Sequence, residues 1–511
     1  MSDEISLIIT NTTTFVKGRL KSDIYQGLKR KLGYMPTNAF FTVKYLKMNP
    51  EFSKKPWLKN YDGHITTVCY NKAKCRCTIK KEGTHFPTGL VSKAIEYFKS
   101  KYVNCKVYDK RTKVEPSLSL SINEEKFELR DYQKDVIDKA LYAERGIIKM
   151  ATGGGKTPTV AGIISKANIS PFVFYVTSKD LLKQAKSELQ KFVLCNGSHL
   201  DVGVIGDGQC DIKDINVMTV QTAVRACGMK YKKFDDEEES KEKGISEKYR
   251  DDIKNLITCA KGIYVDECHH VRSESCQIIS DMSVNARLRY GGSATPYRDE
   301  SDDILIESCF GRNICDINAS FLINAGYLIK PDVYFVPINN MRGRGFGTYV
   351  TAYKKAIVKN SVRNDIIVKV AEQFVNNGRV ILILCRYIEH GKMLEKLIPG
   401  SVFLHGAHSS KKRKEHLDKI RKRKASVTIS SIIFDEGIDV KPLDTLILAG
   451  SGKSATRALQ RIGRILRTFP GKDEATVIDF MDNCKYMLSH SKRRKKIYKT
   501  EPEFNIDQLS F

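Results

Sequence analysis

The stretch "GIIKMATGGGKT" (146–157) runs from an apolar, strand-like segment into three consecutive glycines, a lysine and a threonine. A glycine triplet can be a mere turn. It can also be a phosphate cradle, because residues without side chains let several backbone N–H groups point inward at an anion. A cradle further needs a lysine for the outer phosphates and a hydroxyl for Mg2+. Gly153, Gly155, Lys156 and Thr157 supply these groups, but the full G-x4-G-K-[S/T] pattern wants glycine at 150, where Met150 stands. Taken alone, the loop leaves both readings open.

Two further elements decide between them. "GIYVDECHH" (262–270) places Asp266 and Glu267 directly after a short apolar run. At the carboxyl end of a strand both carboxylates face a ligand crevice. There Asp266 can hold Mg2+ together with Thr157, and Glu267 can orient and activate an attacking water. "QRIGRILR" (460–467) sets Arg464 and Arg467 three apart, on one face of an expected helix, with Gln460 one turn back. Two cations and an amide suit the charge that develops on a transferred γ-phosphoryl group. With these companions the triplet reads as an ATP loop, and the nucleotide is expected in a cleft between two units.

The surrounding pattern agrees with two α/β units in tandem. From Ile147 onward apolar runs alternate with amphipathic helices: "FVFYVTS" (172–178), "KDLLKQAKSELQKF" (179–192), "INVMTV" (215–220) and "GIYVDE" (262–267). A second series begins at "DVYFVP" (332–337) and continues through "RVILILC", "SVFLHG", "SVTISS" and "DTLILAG", with helices between. Short apolar runs separated by helices imply parallel strands covered on both faces. The junction is expected near 318–331. The first 118 residues read as a small α+β domain, with a hairpin over 65–80, a helix over 88–101 and the strand "CKVYD" (105–109). "RTKVEPSLSLSINEE" (111–125) reads as a linker, and the charge-dense segment 230–252 as an exposed insertion, partly helical or disordered. The expected domains are 1–118, 119–320 and 321–511.

At 511 residues the chain is too long for one ordinary core, and 41% apolar with 28% charged residues is the composition of a folded protein. No run is long and apolar enough for a membrane span, and the start lacks a secretion pattern, so a cytoplasmic protein is expected. Net charge is +27; a field of that size attracts polyanions, with nucleic acid the foremost partner. Cys69, Cys75, Cys77 and His85 cluster in sequence, yet without paired C-x2-C spacing they read as strand cysteines before a metal site.

In order and spacing these segments resemble the motifs of superfamily 2 helicases. "LRDYQ" (129–133) is similar to the adenine-recognising segment, which implies that Gln133 reads the base with Arg130 and Tyr132. "ATGGGKT" resembles motif I, with Thr152, Gly153, Gly154, Gly155, Lys156 and Thr157 around the phosphates; "DECH" (266–269) resembles motif II. "SAT" (293–295) resembles motif III, implying that Ser293 and Thr295 couple nucleotide state to domain contacts. "SIIFDEGIDV" (431–440) resembles motif V, with Ser431 on the strand and Gly437 and Asp439 by the nucleotide, and "QRIGRILR" resembles motif VI. For DNA the resemblance implies Thr177, Ser178, Gln184, Thr219, Gln221, His405 and Gly406.

"WLKNYDGHITTVCY" (57–70) and "HFPTGLVSKAIEYF" (85–98) are similar to the domain before the motor in phage branch-migration helicases of the UvsW type. The resemblance implies two RecA-like parallel-sheet domains behind a small basic α+β domain. It also implies ATP and Mg2+ as cofactors, forked or branched DNA as substrate, and a monomeric helicase active in replication, recombination or repair. The motifs leave open an RNA helicase or a DNA translocase that separates no strands. "NNMRGRGFG" (339–347) reads either as a strand-separating loop or as a surface glycine loop.

Overall fold

The computed structural model describes residues 4–36, 39–55, 62–70, 81–229, 247–269, 271, 273–294, 303–339, 347–406, 408, 410–431, 440–450, 452 and 455–509. The chain divides into two compact units, Met1–Met150 with Gly155–Asp316, and Ala151–Gly154 with Ile317–Phe511. Each is described by itself.

The first unit begins with a four-stranded sheet in the order His85–Pro87, Thr13–Lys17, Glu4–Ile9, Asn104–Asp109. The helices Ser22–Lys31 and Val91–Ser100 supply its core. In the second of these Ala94, Tyr97 and Phe98 recur at helical spacing and are buried with Leu7, Leu28 and Phe86. Of the expected hairpin over 65–80, only 65–70 belongs to the described residues. Ile65–Thr66 pairs with Gly33–Tyr34, and Cys69 bridges to His85, while 71–80 lies outside the described residues. No disulfide joins the described cysteines.

This small sheet is fastened to the larger one. A Cβ on Gly89 would collide with the backbone carbonyls of Glu307 and Ser308, so the turn Thr88–Leu90 lies flush on the helix Asp303–Phe310. Lys93 pairs with Glu307, and Arg312 with Glu96 at 2.6 Å. Arg111 bridges Asp109 at 2.7 Å and Glu144 at 2.8 Å, while Arg287 takes the same Glu144 at 2.6 Å. The hydrogen bonds from Arg111 hold the Asp109 carboxyl down to about 2.

The larger sheet has eight strands, in the order Gln209–Asp211, Val202–Gly206, Ile215–Thr219, Phe172–Val176, Gly262–Val265, Leu288–Ser293, Arg145–Met150, Asn313–Ile317. Every residue of five of these strands is buried, and Phe172–Val176 and Gly262–Val265 accordingly lack the alternation of polar and apolar residues, while Leu288–Ser293 buries Arg289 and Ser293 as well. One expectation changes. The supposed linker contains the strand Leu120–Ile122, paired with Val193–Cys195, and its Leu118, Leu120 and Ile122 do carry the period-two signal. Of the expected insertion, 247–252 is helical and exposed apart from half-buried Tyr249, and just beyond it the helix Arg250–Cys259 buries Ile253, Leu256 and Ile257, while 230–246 lies outside the described residues.

The second unit is a seven-stranded sheet ordered Val402–Leu404, Val427–Ser430, Ile381–Leu384, Thr445–Ile447, Ala475–Asp482, Pro331–Ile338, Asn505–Gln508. Its pairings are all parallel. Buried charges are matched. Arg363 meets Asp482 at 2.9 Å, and Arg494 takes both oxygens of Asp479 at 2.8 Å. Breaking such a pair from one side costs about 3–5 kcal/mol, because the other charge stays buried. Both units are α/β with RecA-like parallel sheets. Among the described residues no helix is long and apolar enough to cross a membrane.

Candidate functional site

Three adjacent strands of the first unit, Gly262–Val265, Leu288–Ser293 and Arg145–Met150, pair in parallel and end on one edge. That carboxyl edge is where open α/β sheets receive ligands. After Arg145–Met150 the backbone turns with φ of +90° at Gly153 and +81° at Gly155, a region that side chains enter only under strain. Gly154 N donates to Ala151 O at 3.0 Å, and Met150, in the place of the missing glycine, is fully buried as the last residue of its strand. The helix Lys156–Ala167 starts at once, so the loop leads directly into a helix N-terminus.

Lys156 Nζ donates to Glu267 Oε1 at 2.6 Å. Burial pushes the Lys156 ammonium down, but Glu267 and Asp266 outweigh it and hold the group above its ordinary value. Burial, then the Glu267 charge, pushes the Asp266 carboxyl up, against the pull of Lys156. Tyr264 Oη donates to Asp266 Oδ1 at 3.2 Å. That phenol has room only because residue 292 is glycine, since a Cβ there would collide with it. His269 Nδ1 stands 2.6 Å from Ser293 Oγ and 3.4 Å from Glu267 Oε2, tying the acid pair to the next strand end.

Gln133 is buried and closes a reciprocal loop: its Oε1 accepts from Arg130 N at 3.0 Å, and its Nε2 donates to Gly155 O at 3.4 Å. Arg130 donates to Tyr132 Oη at 3.0 Å. The segment 130–133 therefore abuts the end of the glycine loop. Tyr264, Gly292 and His269 escaped the sequence reading. His269 closes the quoted DECH tetrad and could have been found there; the Tyr264–Gly292 fit joins neighbouring strands and leaves no local signal.

The donor set fits a nucleoside triphosphate with Mg2+. It offers a half-buried ammonium, two carboxylates on the same edge, a hydroxyl at Thr157 and a positive-φ glycine turn feeding a helix N-terminus. Gly153, Gly154, Gly155 and Lys156 would take the phosphates, and Thr157 with Asp266 the cation.

Other expected residues fall elsewhere. Ser178 caps the helix Lys179–Phe192 by accepting from Leu181 N at 3.3 Å, beside Thr177. Gln184 donates to Glu188 at 2.8 Å. Thr219 and Gln221, expected on the strand, are 1% and 4% exposed, and Thr219 caps the helix Val220–Ala226. Ser431 is fully buried. In this conformation these three side chains pack against the fold and offer no surface to a nucleic acid. The His405 ring lies tilted against Phe403, with centroids 5.0 Å apart, and against His408 at 4.2 Å, next to exposed Gly406. Thr295, Gly437 and Asp439 lie outside the described residues, as does most of 339–347.

In the second unit Gln460 and Arg464 stand on the helix Ala455–Ile465, but Arg467 does not continue that face. The helix stops first. Lys472 Nζ donates to the carbonyls of Ile465 at 2.5 Å and Arg467 at 2.8 Å, and Arg467 forms a bridge with Leu328.

Residues 126–298 match the family model described as type III restriction enzyme, res subunit, and residues 363–469 match the helicase conserved C-terminal domain. The chain is 26% identical over 409 residues to putative helicase 22 of Sulfolobus islandicus filamentous virus, covering 74% of this chain and 68% of that protein. It is 24% identical over 426 residues to the DNA 3'-5' translocase XPB2 of Sulfurisphaera tokodaii, covering 74% and 87%. To the ATP-dependent DNA helicase uvsW of Enterobacteria phage T4 it is 25% identical over 246 residues, covering 45% and 48%.

Proposed function

Because this chain belongs to the superfamily 2 helicases, we propose that it is an ATP-driven DNA translocase that unwinds or branch-migrates forked or branched duplexes. One observation carries the ATP reading: the half-buried Lys156–Glu267 pair at the carboxyl edge, beside Asp266 and the glycine turn. The DNA reading is supported by the chain's +27 charge and by relatives named for DNA translocation and DNA unwinding.

Bound ATP with Mg2+ supplies the phosphoryl group whose transfer to water drives the cycle. Lys156 and the glycine N–H groups bind its phosphates, while Thr157 and Asp266 hold the cation. Glu267 orients the water and accepts its proton. His269 steadies Glu267 while bonded to Ser293, which lets the occupancy of one strand end bear on the next. Gln460, Arg464 and Arg467 are assigned the charge that develops on the γ-phosphoryl group. The assignment of 119–320 and 321–511 to the two motor domains, and of 1–118 to a duplex arm, belongs to the same proposal, as does a monomeric state.

The test compares ATP-dependent unwinding of forks, four-way junctions, blunt duplex and RNA–DNA hybrid by the purified full chain. Forks and junctions are expected to be opened first. ATPase stimulation by RNA and not by DNA would transfer the reading to RNA, and no hydrolysis with either would leave a binding protein with a decayed motor.

A further inference from the structure

The amino-terminal sheet carries an excursion between its two short strands Gly33–Tyr34 and Ile65–Thr66. Within it the helix Ala39–Met48, "AFFTVKYLKM", turns its apolar residues the wrong way for a folding element. Ala39, Val43 and Leu46 recur at helical spacing and face the body; Ala39 is buried and Val43 and Leu46 half-buried. A Cβ on Gly63 would come 3.1 Å from Val43 Cγ2, which marks the packed side. The opposite side displays Phe41 at 72%, Tyr45 at 64% and Met48 at 72% exposure, with Phe40 at 73% beside them. Phe40 and Phe41 meet edge to face at 5.7 Å. The helix contains Lys44 and Lys47, both exposed, and no acid; beyond Asn49 and the short helix Pro50–Ser53, which carries exposed Glu51, come exposed Lys54 and Lys55.

Burying none of these rings forfeits about 1.5–3 kcal/mol apiece of hydrophobic stabilisation, so the face is kept for something else. Aromatic rings interleaved with lysines are the arrangement that holds a strand with bases unstacked: rings take the π-faces of bases, and ammonium groups follow the phosphates. A duplex would engage the lysines and leave the rings idle. We infer that the outward face of Ala39–Met48 is a stacking platform for unpaired bases of a DNA strand. The inference rests on the DNA-translocase reading and adds to it a contact outside the motor, where a fork or junction exposes single strands.

The test uses the full chain, with an oligodeoxythymidylate carrying one central 2-aminopurine, and a blunt duplex of equal length, both without ATP. In the wild type the probe's fluorescence should be quenched on binding. Phe41→Ala/Tyr45→Ala should lose that quenching and bind the single strand roughly five- to a hundredfold more weakly. Its blunt-duplex affinity, basal ATPase and melting temperature should be unchanged, since both side chains are exposed. Phe41→Tyr/Tyr45→Phe, which keeps two rings, should restore the quenching. Unchanged single-strand affinity, an equal loss on blunt duplex, or a concentration-dependent dimer abolished by the double alanine variant would each overturn the platform. The last would assign the face to a second copy of the chain. Failure of the functional reading looks different, because then the wild type itself neither binds the strand nor hydrolyses ATP with DNA, and the platform falls with it.

Discussion

Lys156 Nζ and Glu267 Oε1 are joined at 2.6 Å across 111 residues of sequence, so the lysine of the glycine loop and the acid beside Asp266 already neutralise one another on the sheet edge. Each is held in position by the other.

Removing either partner should therefore have separable effects. Lys156→Ala is expected to abolish both nucleotide affinity and turnover. Glu267→Gln, which keeps the size and a hydrogen-bonding oxygen, should bind ATP normally and hydrolyse it a hundredfold or more too slowly. Equilibrium binding of a fluorescent nucleotide beside steady-state ATPase separates the two, and normal turnover by Glu267→Gln would relocate the site.

His269 touches both Glu267 and Ser293, so it acts by positioning. His269→Ala should lower kcat by about tenfold with little change in KM for ATP, and should weaken stimulation by DNA more than basal hydrolysis. Ser293→Ala should reproduce the loss of stimulation. A rise in KM alone would instead indicate direct contact with nucleotide.

Gly89→Ala drives a methyl group into the backbone of Glu307 and Ser308, which have no side-chain freedom with which to yield. A cost at or above the upper end of the 1–3 kcal/mol usual for overpacking is expected. Limited proteolysis should then release the amino-terminal sheet at protease levels that leave the wild type whole.

His390 in the second unit is fully buried, and its Nε2 donates to Asn364 Oδ1 at 3.0 Å. Burial, reinforced by the Arg363 charge, pushes its pKa down to about 3, against about 6.5 when unfolded. The unfolded chain then binds a proton that the folded chain refuses throughout that window. Stability should be complete above pH 6.5 and fall as pH drops toward 3, by at most about 1.4 kcal/mol per pH unit. Urea midpoints at pH 7.5 and pH 5 should differ more in the wild type than in His390→Gln.

How much of this was legible in the sequence depended on the range of the forces involved. Strands such as Phe172–Val176 and Ile381–Leu384 announce themselves because burial on both faces makes them continuously apolar. The glycine loop and the acid pair are short, local and chemically restrictive, so their meeting could be foreseen. Arg467 was misplaced because three-residue spacing extends a helix on paper, whereas Lys472 and Leu328 end it from outside the segment. Thr219 and Gln221 looked like strand-end polar groups, and only the packing of Val220–Ala226 shows that they face inward. The exposed rings of Ala39–Met48 look in sequence like any buried aromatic cluster.

The flush seat of Gly89, the ion pairs of Lys93 and Arg312, and the Arg111–Glu144–Arg287 clasp leave the amino-terminal sheet no hinge of its own. It is seated on the eight-stranded sheet as a ploughshare is seated on its beam, so a displacement of the larger sheet carries the smaller one with it.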